Sequence, residues 1–121
     1  MNNNKGVHYI VNAYDCETNL DSVKAVEKLL NELVEKVGMT KLSVPTVLFH
    51  NAENIENSGV TGIILLSESH ITIHTFSNRG EFYMDLFSCK PYDVKIVRDY
   101  INEMFKIGRL EEQTIRRGLI L

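Results

Sequence analysis

The chain has no tryptophan, only two prolines and two cysteines, and no long apolar run. Cys16 and Cys89 are too few for a disulfide framework and lack the paired spacing of a zinc site, so each is judged alone. Nothing approaches the roughly 18 consecutive apolar residues of a membrane span, and the opening MNNNKGVHY lacks the apolar centre of a signal peptide. A cytoplasmic chain with no membrane partner is expected. A basic excess is missing too: 13 Lys and Arg stand against 16 Asp and Glu, a net charge of -3, which argues against nucleic acid as a partner because phosphate binding needs a basic stripe. Arg116-Arg117 is too small a cluster to change that.

What is present is 121 residues, 44% of them hydrophobic, enough for one domain with a modest core. Residues 6–15 (GVHYIVNAYD) alternate and read as a strand. In 20–37, Val23, Val26, Leu29, Leu30, Leu33 and Val37 recur at helical spacing, with Asn19 available as a cap and Gly38 as the stop. A strand is predicted over 41–49, with Pro45 marking an edge or irregularity because it cannot donate to a ladder. After the polar loop 50–58 come strands at 60–67, 70–77 and 81–88, the last two joined by Asn78-Arg79-Gly80. Val94, Val97, Ile101, Met104 and Phe105 mark a second helix over 94–107, closed by Gly108, and a last strand is placed at 113–120. The order β-α-β-β-β-β-α-β predicts an α+β two-layer sandwich, a mostly antiparallel sheet with helices packed on one face.

One stretch asks for more than a fold. SESH, residues 67–70, follows the apolar run Ile63 to Leu66 and precedes ITIHTF. As a strand-to-strand turn its hydroxyls satisfy backbone groups, and His70 and His74 are ordinary strand residues. A metal pair at His70 and His74 is excluded: four strand steps at about 3.3 Å put the imidazoles roughly 13 Å apart. No metal is expected.

The segment GVTGIILLSESHITIHTF, followed by DLFSC at 85–89, resembles the self-processing signature of the S-adenosylmethionine decarboxylases of the short bacterial and archaeal type, and a weaker likeness extends over the whole chain. Decarboxylating an amino acid requires an electron sink that no ordinary side chain provides. In the family a serine hydroxyl attacks the preceding carbonyl, the ester undergoes β-elimination, and the serine becomes an N-terminal pyruvoyl group that forms a Schiff base with the substrate. The resemblance implies that Ser69 is that serine and Glu68–Ser69 the scissile bond, giving chains 1–68 and 69–121. It also implies that His74 serves the elimination and that Thr61, where the family has a serine, assists at the carbonyl adduct. Cys89 then donates a proton to the decarboxylated carbon. The resemblance gives no role to His8, His50 or Cys16, the last read as a small hydrophobe, and His70 only shapes the turn.

Ser69 and His74 are five strand steps apart, roughly 16 Å, and the odd offset turns them to opposite faces. They meet most simply in a two-fold homodimer, where Ser69 and Cys89 of one protomer face Thr61 and His74 of the other. The substrate positions depart from the family. Ile55 stands where an aromatic stacks on adenine, and Asn78 where a carboxylate binds the ribose; a base stack alone is worth about 1–3 kcal/mol. Three readings follow: a pyruvoyl-dependent decarboxylase of S-adenosylmethionine in polyamine synthesis; the same chemistry on arginine or ornithine, with Glu53 and Glu56 as negative partners; or a non-catalytic binding or regulatory homologue. The intact set of Glu68, Ser69, His74 and Cys89 argues against the last.

Overall fold

A computed structural model describes residues 5–118. The element order is the expected one: strand β1 (Gly6–Tyr14), helix α1 (Val23–Lys36), β2 (Thr46–His50), β3 (Gly59–Leu65), β4 (Ser69–Phe76), β5 (Glu81–Ser88), α2 (Val94–Phe105) and β6 (Arg109–Arg117). The six strands form one sheet in the order β2-β3-β4-β5-β1-β6, and every pairing is antiparallel. Both helices lie on one face, so the α+β two-layer sandwich holds.

Alternation along the strands builds the core. Tyr9 and Val11 of β1, Ile71 and Ile73 of β4, and Phe82 and Leu86 of β5 point to the helices and are fully buried, beside Leu29, Leu30 and Leu33 of α1 and Ile101 and Phe105 of α2. Full burial of such a side chain contributes about 1.5–3 kcal/mol, so two helix stripes and one sheet face suffice to hold a domain of this size. The opposite sheet face carries His8, Ile10, Thr61, Ile63, Thr72, His74, Tyr83 and Asp85, and no helix covers it. Among the described residues no helix is long and apolar enough to cross a membrane.

Several local expectations are corrected. Ser22, not Asn19, caps α1: its hydroxyl accepts from the Ala25 N–H at 3.0 Å, a contact worth about 1 kcal/mol. Asn19 has a left-handed backbone and sends its amide to the Met104 carbonyl, which ties the segment before α1 to α2. Strand 41–49 shrinks to Thr46–His50, since regular pairing starts only after Pro45; Lys41 keeps an isolated bridge to Leu66. Gly38 does close α1 with φ 71°, but α2 is closed by Lys106 at φ 51°. Gly108 is needed for a different reason, because a Cβ there would lie 2.7 Å from the Asp15 side chain. The last strand begins four residues earlier than predicted, and positions 119 and 120 of the predicted strand lie outside the described residues.

Candidate active site

The SESH turn is a three-residue connection, 66–68, between β3 and β4, closed by the Leu66 N–H donating to the Ser69 carbonyl at 2.9 Å. Ser69 is the first residue of β4 and pairs with Ser88 of β5. Its hydroxyl lies against the carbonyl oxygen of Glu68 and hydrogen-bonds to it. The same oxygen accepts the Cys89 backbone N–H at 3.1 Å, and Cys89 Sγ stands 3.9 Å from Ser69 Oγ. A hydroxyl, a carbonyl that accepts two hydrogen bonds and a thiol therefore converge at the Glu68–Ser69 bond.

Two groups hold this arrangement, and sequence reading missed both. Thr40, in the connection between α1 and β2, accepts the Ser67 N–H at 2.9 Å and donates its own N–H to Glu68 Oε1 at 3.2 Å. Ser88 is fully buried, and its hydroxyl accepts the Lys90 N–H at 3.0 Å, shaping the bend that aims the Cys89 N–H at Glu68. Thr40 acts through backbone groups that any non-proline residue offers, so it has no sequence signal, and Ser88 has none beyond being a hydroxyl residue near a turn.

Thr61 and His74 form a second, separate group. They are cross-strand partners on the uncovered face, and Thr61 Oγ1 lies 3.0 Å from His74 Nδ1. Threonine's branched Cβ restricts χ1, so the hydroxyl is held near the ring rather than free to rotate away. His74 also lines a shallow depression of about 180 Å³ with Ile10, Asn12, Thr72, Tyr83 and Asp85. Because β4 runs unbroken from Ser69 to Phe76, the protomer keeps Ser69 and His74 at opposite ends of that span. The buried Ile71, Ile73 and Thr75 share Ser69's side of the strand, whereas His74 is exposed on the other.

Ile55 and Asn78 sit on two short helical turns, Ile55–Asn57 and Ser77–Arg79, that Arg79 docks together. Its guanidinium donates to the Glu56 carbonyl at 3.0 Å and to Asn57 Oδ1 at 2.7 Å, pairs with Glu81, and stacks over Phe76 at 4.2 Å. Ile55 is 63% exposed and free to meet a ligand. Asn78 lines an open pocket of about 370 Å³ with Cys16, Asn19 and Asp21.

The cysteines differ as their surroundings do. Burial, helped by the Asp15 and Glu81 charges, pushes the Cys16 thiol up to about 11, while Cys89 is exposed. Thiolate is the nucleophile, and at pH 8 only about a thousandth of such a Cys16 is ionised. Iodoacetamide at pH 8 is therefore expected to modify Cys89 at least about tenfold faster than Cys16, read by peptide mass spectrometry; equal labelling would contradict the burial of Cys16.

The pattern of the S-adenosylmethionine decarboxylase family matches residues 7–118. A protein named S-adenosylmethionine decarboxylase proenzyme from Methanococcus maripaludis is 37% identical over 120 residues, covering 95% of this chain and 91% of that protein. Another of that name from Caldicellulosiruptor saccharolyticus is 34% identical over 116 residues, covering 94% and 89%. The crystal structure of the adenosylmethionine decarboxylase from Aquifex aeolicus superposes with a TM-score of 0.80 at 28% identity, covering 98% of this chain and 94% of that one. On this family match and these likenesses, the chain belongs to the S-adenosylmethionine decarboxylase family.

Proposed function

We propose that this chain is a self-processing, pyruvoyl-dependent decarboxylase of S-adenosylmethionine in polyamine synthesis, acting in the cytoplasm as a homodimer with shared active sites. The observation that carries the reading is Ser69 Oγ lying on the Glu68 carbonyl while the Cys89 N–H already holds that oxygen. Attack of Oγ on the Glu68 carbonyl carbon develops negative charge on the oxygen that Cys89 N–H faces, and a donor so placed is worth about 2.7–4 kcal/mol in comparable sites. The C–N bond then breaks as the hydroxyl proton passes to the Ser69 nitrogen, leaving an ester and a free amine. Loss of the Ser69 α-proton to a base, assigned to His74 of the second protomer, expels the Glu68 carboxylate and leaves a dehydroalanine at 69. Tautomerisation and hydrolysis by water release ammonia and give the pyruvoyl group. Its ketone supplies the electron sink for decarboxylation, and Cys89 delivers the proton that replaces carbon dioxide, a role its 3.9 Å distance from Ser69 Oγ supports.

The residues of the Ile55 and Asn78 turns bind the substrate in this reading. S-adenosylmethionine is favoured over arginine or ornithine by the names of the relatives and by the docking of the two turns into one neighbourhood by Arg79. The non-catalytic reading is not favoured, because nucleophile, scissile carbonyl and thiol are all in contact. The test is carbon dioxide release from the three substrates. Wild type is expected to prefer S-adenosylmethionine, and Ile55→Phe with Asn78→Glu to raise kcat/KM for it roughly tenfold, the yield of a base stack worth about 1–3 kcal/mol. A preference for arginine or ornithine would overturn the substrate assignment and leave the processing chemistry standing.

A further inference from the structure

His8, His70 and Asp85 come from three different strands, yet an imidazole nitrogen from each histidine and a carboxylate oxygen all lie within 4.8 Å of one another. The sheet register brings this about. His8 of β1 and His70 of β4 both stand opposite Phe87, one on each side of β5, and Asp85 lies two residues along β5 on the same face. All three side chains are partly buried on the sheet face that no helix covers.

The group is held as a site rather than left as loose surface charge. Asp85 Oδ1 accepts the Thr72 hydroxyl, and Asp85 Oδ2 is 3.1 Å from His8 Nε2, so the carboxylate is oriented from both sides. The Phe87 ring forms an apolar floor, with centroids 5.7 Å from His8 and 6.1 Å from His70. The two imidazoles meet edge to face at 6.4 Å. Ligand atoms on one tetrahedral ion, each about 2.0–2.2 Å from it, stand roughly 3.3 Å apart, and the 4.8 Å within which these three atoms lie exceeds that by only about 1.5 Å.

We infer that His8, His70 and Asp85 bind one divalent transition-metal ion, best matched by zinc, with the fourth position open to water. Two imidazoles and one carboxylate suit zinc and its neighbours, whereas magnesium and calcium take all-oxygen ligand sets. Thr72 orients the ligating carboxylate, as outer-shell partners do. The absence of a metal expected from sequence rested on His70 and His74, which are too far apart; across strands, His70 meets His8 instead. The site adjoins the candidate active site, since His70 follows Ser69 and Asp85 and Thr72 line the depression that also holds His74, but its ligands are not the groups assigned to the proposed reaction. Where cleavage at Glu68–Ser69 occurs, the ion has a structural consequence: His8 lies in 1–68 and His70 and Asp85 in 69–121, so it ties the two chains one residue from the new terminus.

The test uses the full chain, stripped with a chelator, dialysed and titrated with zinc by calorimetry and with cobalt(II) by visible absorption. One ion per chain is expected, with the cobalt band of a four- or five-coordinate nitrogen and oxygen site. His8→Ala and Asp85→Asn should each weaken binding at least tenfold, since even outer-shell losses cost 10- to 100-fold. Asp85→Asn keeps the side-chain shape, so it reports on binding even where His8→Ala unfolds β1. Cys89→Ser should bind normally. Failure to bind stoichiometrically, retention of binding in Asp85→Asn, or a sulfur charge-transfer band lost in Cys89→Ser would each overturn the inference and leave His8–Asp85 a plain hydrogen bond.

Discussion

Ser69→Ala is expected to leave a single uncleaved chain under denaturing conditions, where the wild type separates into 1–68 and 69–121. The substitution removes the hydroxyl in contact with the Glu68 carbonyl, the only one there among the described residues, and leaves the Leu66 to Ser69 backbone bond and the β4 pairing in place. The effect is therefore the loss of the reaction and not of the fold. Denaturation is essential to the measurement. Fragment 1–68 carries β1, β2 and β3, and 69–121 carries β4, β5 and β6, so three of the five strand pairings, β3 to β4, β5 to β1 and β1 to β6, join the two fragments. Cleaved protein should run as one folded species in native gels and as two masses in denaturing mass spectrometry, the larger ending at Glu68. An intact wild-type mass after prolonged incubation would falsify the self-processing assignment, whatever the fate of the variant.

Mixing Ser69→Ala protein with His74→Ala protein is expected to restore cleavage. Neither variant has both groups in one chain, and the unbroken span of β4 between positions 69 and 74, roughly 16 Å of strand, keeps the two from meeting within a protomer. In a two-fold dimer, the mixed species has one site with neither group and one site with both. Random exchange makes about half the dimers mixed, so roughly a quarter of all chains should be cut. The uncovered sheet face supplies the surface for such pairing, with Ile63 and Leu65 of β3 and Leu48 of β2 exposed beside Thr61. Demonstrated subunit exchange without any cleavage would place both residues in one protomer's site and remove the argument for a shared one.

Much of this was legible in residue order because it depends on short-range chemistry. Alternating apolar residues in β1 and β5, the helical spacing of Val26, Leu29, Leu30 and Leu33, and the local SESH turn all act within a few residues of themselves, so the element order and the α+β class followed from them. The five-residue offset between Ser69 and His74 was enough to put them on opposite faces of one strand. Caps were less legible: Ser22 and Asn19 are both competent, and the choice falls to whichever backbone can stay extended while the other bends toward Met104.

The tertiary structure alone decided what depends on register between distant strands. Thr40 clamping Glu68, Cys89 N–H reaching the Glu68 carbonyl, and Arg79 joining the Ile55 and Asn78 turns all link residues about 20 to 30 positions apart. His8, Asp85 and His70 converge only because β1 and β4 flank β5 with Phe87 opposite both histidines, and a slip of one residue in either ladder would turn a histidine to the helix face. Residue order states which side chains alternate; only the paired sheet states which of them meet, because pairing is set by the burial of a whole face and not by any local signal.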